Sequence, residues 1–155
     1  ETCGLVLVLG SAASALGWCI SIARLPQYLM PLITSTFDSP LSFLLMVNLL
    51  LLVIGCFMEG LAALLILIPI LVPMAIGYGI DPVQFGVMMV LNIIIGTITP
   101  PVGVVLFVVT RVAGVSFETM SRAILPWLIP LVVVLAGITL WPPLTLWLPN
   151  LLMGK

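Results

Sequence analysis

The sequence has no histidine, and this one absence excludes several kinds of site. Without histidine there is no Ser/His/Asp or Cys/His nucleophilic apparatus, no HExxH zinc motif and no histidine-based proton relay. Cysteine is also scarce: Cys3, Cys19 and Cys56 lie far apart and form no CxxC pair. We interpret them as small apolar residues rather than redox or zinc groups. No enzymatic activity is expected.

Charged residues are also scarce. Only 6% of the 155 residues are charged, whereas 63% are hydrophobic, and the formal net charge is −1. A soluble domain of this size carries roughly a quarter charged residues. The chain therefore has too little polar surface to face water, and a lipid bilayer is its expected surrounding. Because no basic cluster is present, nucleic acid is not an expected partner.

Long apolar runs are abundant and divide the chain into membrane segments. Together they predict a single all-α transmembrane domain over residues 1–155. The predicted segments are a span at 3–23, an interfacial arm at 24–40, a re-entrant hairpin at 41–79, a broken transmembrane helix at 82–110 and a last span at 123–148.

The segment 41–79 is the predicted hairpin, and its centre is the glycine-flanked stretch GCFMEG at 55–60. Each apolar arm is about fifteen residues long and would rise roughly 22 Å, which is short of the ~30 Å hydrocarbon core. Glu59 would be costly at membrane depth unless it were buried in protein or faced water. These features favour a re-entrant hairpin; the alternative is two tilted spans joined by a tight loop.

A second interruption lies in the stretch NIIIGTITPPVGVVLF at 92–107. The interrupting residues are two glycines, two threonines and two consecutive prolines: Gly96, Gly103, Thr97, Thr99, Pro100 and Pro101. The prolines remove backbone donors and leave carbonyls one turn earlier without helical partners. The glycines let the backbone leave helical angles at low cost, and the threonines add hydroxyl oxygens.

This second interruption is a concentration of uncharged oxygen atoms inside a membrane helix. Desolvating such groups without a partner is costly, whereas a hard cation binds carbonyl and hydroxyl oxygens. The C-terminal dipole end of the first half-helix also favours a cation. Two interrupted elements together are typical of a secondary-transporter site; the alternative is a proline kink that serves helix packing.

Two asparagines lie within apolar helices. Asn48 is predicted to form hydrogen bonds between helices. Asn92, one turn before Gly96, either does the same or lines the site.

Three stretches carry a family resemblance: GIDPVQFG at 79–86, TPPVG at 99–103 and the tail FETMSRAILPWLIPLVVVLAGITLWPPLTLWLP at 117–149. With them, the chain resembles the large membrane subunit of tripartite ATP-independent periplasmic (TRAP) transporters. The resemblance implies the C-terminal portion of a longer subunit in the bacterial inner membrane. It also implies half of an inverted-repeat, elevator-type transporter.

The function implied by the resemblance is sodium-coupled import of an organic anion. The substrate would be a carboxylate such as a dicarboxylate, sialic acid or a sugar acid, delivered by a periplasmic substrate-binding protein. A small membrane subunit and the N-terminal remainder of the same subunit would be further partners. No organic cofactor is implied, and sodium is the coupling ion.

The resemblance also assigns roles to residues at the two interruptions. The implied sodium-binding residues are Gly55, Glu59, Gly96, Thr97, Thr99, Pro100 and Gly103, and the implied substrate-lining residues are Met58, Asn92 and Pro101. Two other functions stay open: another ion-transporter-type carrier or channel, and a membrane scaffold subunit that does not transport.

Overall fold

The computed structural model describes residues 39–153 continuously, together with the single positions 11, 15, 19, 22, 23, 28 and 31. The continuous part is all-α, as the sequence predicts. Its helices are α1 (Pro40–Phe57), α2 (Gly60–Gly77), α3 (Pro82–Thr97), α4 (Val104–Ala113), α5 (Phe117–Leu140) and α6 (Pro143–Met153). The predicted span at 3–23 and most of the predicted arm at 24–40 lie outside the described residues.

Local capping groups determine where the first helices begin. Ser39 and Ser42 form a reciprocal capping box at the start of α1, in which each side chain accepts from the other's backbone N–H. The Asp81 carboxylate accepts from the Val83 N–H at 2.8 Å, and Pro82 occupies the first turn of α3. The sequence correctly predicts that α3 starts at Asp81-Pro82.

The hairpin differs from its prediction in the length of its arms. α1 and α2 each have 18 residues, so each rises about 27 Å instead of the expected 22 Å. The helical geometry of α1 continues through Gly55, and only Met58 and Glu59 lie between the two helices. By length and composition, α1, α2 and α5 are all able to cross a bilayer. Arm length alone therefore no longer favours a re-entrant hairpin over two spans.

The last span also has different limits from those predicted. α5 begins at Phe117, because the Ser116 side chain accepts from the Thr119 N–H and caps the helix six residues before the predicted start. It ends at Leu140, because Pro142 disfavours helical geometry in the residue before it and cannot donate a backbone hydrogen bond. The remainder of the predicted span forms the separate helix α6.

Helix α3 is the centre of the fold and contacts each of the other five helices. It runs parallel to α1, since Phe85 stacks near Phe43 at one end and Gly96 meets Gly55 at the other. It runs antiparallel to α5, because Gln84 near its start bonds Ile138 near the end of α5. The C-terminal ends of α1 and α3 therefore lie side by side.

Candidate functional site

The two interruptions predicted from the sequence meet in space. We call Met58 and Glu59 the tip, and residues 98–103, between α3 and α4, the break. A Cβ atom added to Gly96 would lie 2.8 Å from the Gly55 Cα, and one added to Gly55 would lie 3.0 Å from the Ile93 carbonyl oxygen. Real Cβ atoms essentially never come within 2.8 Å of another backbone and rarely within 3.0 Å, so these glycines allow α1 and α3 to touch just before the tip and the break.

This contact gives Gly55 and Gly96 a role other than the predicted one. The sequence assigned them to unwound backbone, but both lie inside helices. Their missing side chains serve close helix approach instead. Gly103 does adopt the left-handed backbone that the sequence anticipates, with φ of +53°.

The break is joined to the tip region by a backbone hydrogen bond. The Gly103 N–H donates to the Cys56 carbonyl oxygen, which lies in the last turn of α1, at 3.2 Å. In a continuous helix the same N–H would serve the Thr99 carbonyl, four residues earlier. Its use on Cys56 leaves the Thr99 carbonyl without that donor.

The Thr97 carbonyl is freed by a different route. The residues three and four positions later are Pro100 and Pro101, and neither has a backbone N–H. Within residues 39–153, no backbone N–H donates to the carbonyls of Thr97 or Thr99. Both oxygens lie beside Gly103, since a Cβ on Gly103 would lie 3.3 Å from the Thr97 oxygen and 3.2 Å from the Thr99 oxygen.

The hydroxyl groups of the same two threonines are oriented by the helix. Thr97 Oγ1 donates to the Ile94 carbonyl at 2.7 Å, and Thr99 Oγ1 donates to the Ile95 carbonyl at 2.6 Å. Each hydroxyl proton is therefore engaged, and each hydroxyl oxygen keeps its lone pairs for another partner. Two carbonyl and two hydroxyl oxygens are thus concentrated at the end of α3.

Helix dipoles give this region a defined polarity. α1 and α3 both end here, and the C-terminal end of a helix carries a partial negative charge. α2 and α4 both begin here, with the opposite partial charge. The start of α2 is capped by Glu59, whose two carboxylate oxygens accept from the Leu61 and Ala62 N–H groups at 3.0 and 2.9 Å. The start of α4 has no side-chain cap.

Two cavities of about 290 Å³ each adjoin the contact between α1 and α3. One is lined by Cys56, Phe57, Thr99, Pro100, Pro101 and apolar residues of α1, α3 and α5. The other is lined by Glu59, Gly60, Thr97 and apolar residues of α2, α3 and α4. Both cavities are mainly apolar, with the threonines and Glu59 as their polar groups.

The structure thus brings most of the predicted residues together. The predicted sodium-binding residues all lie at the ends of α1 and α3, at the tip or in the break: Gly55, Glu59, Gly96, Thr97, Thr99, Pro100 and Gly103. In the described part of the chain there is no group of three or more His, Cys, Asp or Glu side chains. A cation at this place would depend on uncharged oxygens, which is the donor set that the break supplies.

The predicted substrate-lining residues are spread more widely. Pro101 lines one of the two cavities and Met58 is an exposed tip residue. Asn92 is fully buried, and its amide donates to Asn48 rather than facing either cavity. Its assignment to the substrate path stays a prediction, whereas the interhelical role predicted for Asn48 is confirmed.

Two contributors to this region carry no sequence signal. Cys56 takes part through its backbone carbonyl, which is independent of residue type. Thr139, the partner of Asn48, lies 42 residues beyond Thr97 in the chain. It is the one hydroxyl residue in the apolar part of α5, residues 123–140, and only the fold places it beside α1.

Helices able to span a bilayer, together with a helix interrupted at freed carbonyls, are features typical of membrane proteins of the secondary-transporter class. The chain belongs to the family described as tripartite ATP-independent periplasmic transporter, DctM component, whose family model matches residues 1–144. This membership confirms the resemblance to TRAP large subunits and places the chain in the bacterial inner membrane.

Relatives agree with the family match. The chain is 46% identical over 99% of its length to the sialic acid TRAP transporter large permease protein SiaM of Vibrio cholerae serotype O1. It is 46% identical over 84% of its length to the C4-dicarboxylate TRAP transporter large permease protein DctM of Pseudomonas aeruginosa. It is 44% identical over 92% of its length to the isethionate TRAP transporter permease protein DctMQ of Oleidesulfovibrio alaskensis. The chain spans only 36%, 31% and 22% of these three proteins.

Proposed function

We propose that this chain is the C-terminal part of a sodium-coupled secondary importer of an organic anion. The relatives are named for sialic acid, C4-dicarboxylates and isethionate, and an organic anion is the class that these substrates share. A periplasmic substrate-binding protein would deliver the anion, and a small membrane subunit would accompany the large one. The observation that carries sodium coupling is the pair of freed carbonyls, Thr97 and Thr99, at the break.

The proposed cation ligands are the carbonyl and hydroxyl oxygens of Thr97 and Thr99. Sodium is a hard cation that suits such oxygens, and the adjoining C-terminal ends of α1 and α3 stabilise positive charge. An anion is favoured instead at the start of α4, whose first N–H groups have no side-chain cap. The two proposed ion sites would therefore lie at adjacent helix ends.

In this proposal, coupling follows from the contact between the end of α1 and the break. A cation bound at the break would stabilise the arrangement in which Gly103 bonds Cys56 and α1 touches α3. If the anion binds that arrangement better than any other, each ion raises the affinity for the other. An elevator motion of the whole subunit would then carry both ions across the membrane.

The test is uptake by the complete transporter, reconstituted in liposomes with its partners, over a range of external sodium concentrations. Thr99→Ala removes one proposed ligand, so we expect the sodium concentration for half-maximal uptake to rise about tenfold, equivalent to about 1.4 kcal/mol. Thr99→Ser keeps the hydroxyl and should stay close to wild type.

Thr110→Ala is the matched control for this experiment. Thr110 is buried and its hydroxyl donates to the Phe107 carbonyl at 2.8 Å, the same bond type, but it lies in α4 away from the break. Its replacement should leave the sodium dependence unchanged. Uptake that depends neither on the sodium concentration nor on the residue at position 99 would contradict the proposed function.

A further inference from the structure

A chain of buried side-chain hydrogen bonds connects three helices at one level of the fold. Asn92 in α3 donates through Nδ2 to the backbone carbonyl of Asn48 in α1 at 3.0 Å and also to the Asn48 Oδ1. Asn48 Nδ2 donates to Thr139 Oγ1 in α5 at 3.0 Å. Thr139 Oγ1 in turn donates to the Leu135 carbonyl at 2.8 Å. All three side chains are buried.

The direction of this chain is determined by its last member. Thr139 has one hydroxyl proton, which the Leu135 carbonyl accepts, so its oxygen must accept from Asn48. Asn48 therefore turns Nδ2 toward Thr139 and Oδ1 toward Asn92, which must donate. Reversing any one amide would place two acceptors or two donors opposite each other.

This chain of hydrogen bonds lies on the faces of α1 and α3 that form the glycine contact. Asn48 is seven residues before Gly55, and Asn92 is four residues before Gly96. Residues at these spacings share a helix face. The chain is therefore about 6 Å from the glycine contact along α3 and about 10 Å from it along α1.

This chain of hydrogen bonds is not the most stable arrangement possible at these three positions. Asn92 is fully buried, and its Oδ1 has no hydrogen-bond partner in the described part of the protein. An unpaired buried acceptor is unfavourable, and an apolar side chain of similar size would avoid it. A polar pair in an apolar helix interface does provide one benefit, because any other register leaves its amides unpaired.

We propose that Asn92, Asn48 and Thr139 are positioning residues for the ion site at the break. They hold α1 and α3 at the register in which Gly55 meets Gly96 and the Gly103 N–H reaches the Cys56 carbonyl. None of the three touches the proposed ion. The proposal rests on the proposed function, since its effect is measured as a change in sodium dependence.

The test uses Thr139→Val in the complete reconstituted transporter, with uptake measured against sodium concentration. Valine keeps the shape of threonine but cannot accept from Asn48 Nδ2, so the chain is broken far from the ion. We expect the half-saturating sodium concentration to rise severalfold. Thr139→Ser restores the hydroxyl and should return that concentration to within twofold of wild type.

Gln84→Met is the matched control for a loss of buried polar contact. Gln84 also joins α3 to α5, through Nε2 to the Ile138 carbonyl at 3.2 Å, and it too is buried. Its Nε2 also donates to the Thr139 backbone carbonyl at 3.5 Å, but it bonds none of the side chains of Asn48, Asn92 and Thr139. Its replacement should reduce stability without changing the half-saturating sodium concentration.

A second variant covers the case in which Thr139→Val does not fold. Asn92→Leu removes both the donor to Asn48 and the unpaired Oδ1, so it should fold and still raise the half-saturating sodium concentration. If the folded variants have the wild-type sodium response, the hydrogen-bond chain stabilises only the fold and this proposal is overturned. If uptake by the wild-type transporter does not depend on sodium, the proposed function fails and this proposal fails with it.

Discussion

At the scale of single residues, glycine has two separate uses around the site. Gly55 and Gly96 allow two helix backbones to touch, whereas Gly103 supplies the positive φ that turns the chain from the break into α4. The sequence shows where these glycines are but not which use each one has. Close approach depends on the neighbouring helix, and α1 and α3 become neighbours only in the folded protein.

The first use can be tested with Gly96→Ala. The added methyl group would lie 2.8 Å from the Gly55 Cα and 3.0 Å from the Leu52 carbonyl oxygen, and these backbone atoms can move only if the helices separate. We expect the free energy of unfolding of the purified subunit to fall by about 1–3 kcal/mol, as in other overpacked sites. Chemical unfolding in detergent measures this change.

Gly86→Ala in the same helix is the control. A Cβ there has no atom within 4 Å, and alanine is a better helix former by about 1 kcal/mol. Gly86→Ala should therefore be neutral or stabilising. Equal effects of the two substitutions would contradict the close-approach role of Gly96.

At the scale of elements, the hairpin depends on how α2 begins. Glu59 is one of the residues that the family resemblance assigned to sodium, and in the structure both of its carboxylate oxygens cap α2. An acidic residue between two glycines is equally consistent with a helix cap and with a cation ligand. The sequence alone therefore cannot distinguish the two roles.

Replacement of Glu59 separates these roles. Glu59→Ala removes the cap and should lower the free energy of unfolding by about 1 kcal/mol. Glu59→Gln keeps one acceptor oxygen and should cost less. If Glu59 acts as the cap alone, Glu59→Gln has the wild-type half-saturating sodium concentration. A rise as large as that of Thr99→Ala would instead place the Glu59 charge in the ion site.

Asp81→Ala is the reference for the Glu59 variants. Asp81 caps α3 at the opposite end of that helix from the break. Its loss should lower stability by a similar amount and leave the sodium dependence unchanged. An altered sodium response in Asp81→Ala would mean that capping itself, rather than position, affects ion binding.

Most elements could be predicted from local signals, and their limits could not. Apolar runs locate the helices, and Asp81-Pro82 marks the start of α3. Helix α5 begins earlier than predicted because the Ser116 cap is a weak signal, and it ends earlier because Trp141-Pro142 interrupts what reads as one apolar run. The tip shrinks to two residues because Gly55 stays helical against α3.

At the scale of the whole molecule, the distribution of apolar side chains is that of a protein in lipid. Large hydrophobic residues such as Trp127, Ile129 and Val133 are exposed along α5, while the polar chain from Asn92 to Thr139 is buried. Membrane helices associate through close packing of small residues and interhelical hydrogen bonds. The glycine contact and the asparagine chain supply one of each between α1 and α3.

The site as a whole depends on which carbonyl each backbone N–H group bonds. The sequence locates Pro100 and Pro101 and hence predicts freed carbonyls. It does not show that the Gly103 N–H donates to the Cys56 carbonyl. This bond leaves the Thr99 carbonyl free as well. That second freed carbonyl arises from the tertiary fold.

Sodium binding to the purified full-length subunit tests this account most directly, measured by equilibrium dialysis with ²²Na⁺ in a potassium background. Pro101→Ala restores an N–H four residues after Thr97, where it can bond the Thr97 carbonyl. We predict that sodium binding becomes about tenfold weaker, about 1.4 kcal/mol. Pro130→Ala, which restores an N–H within α5, should leave binding unchanged. Wild-type sodium affinity in Pro101→Ala would contradict the claim that freed carbonyls of the break bind the ion.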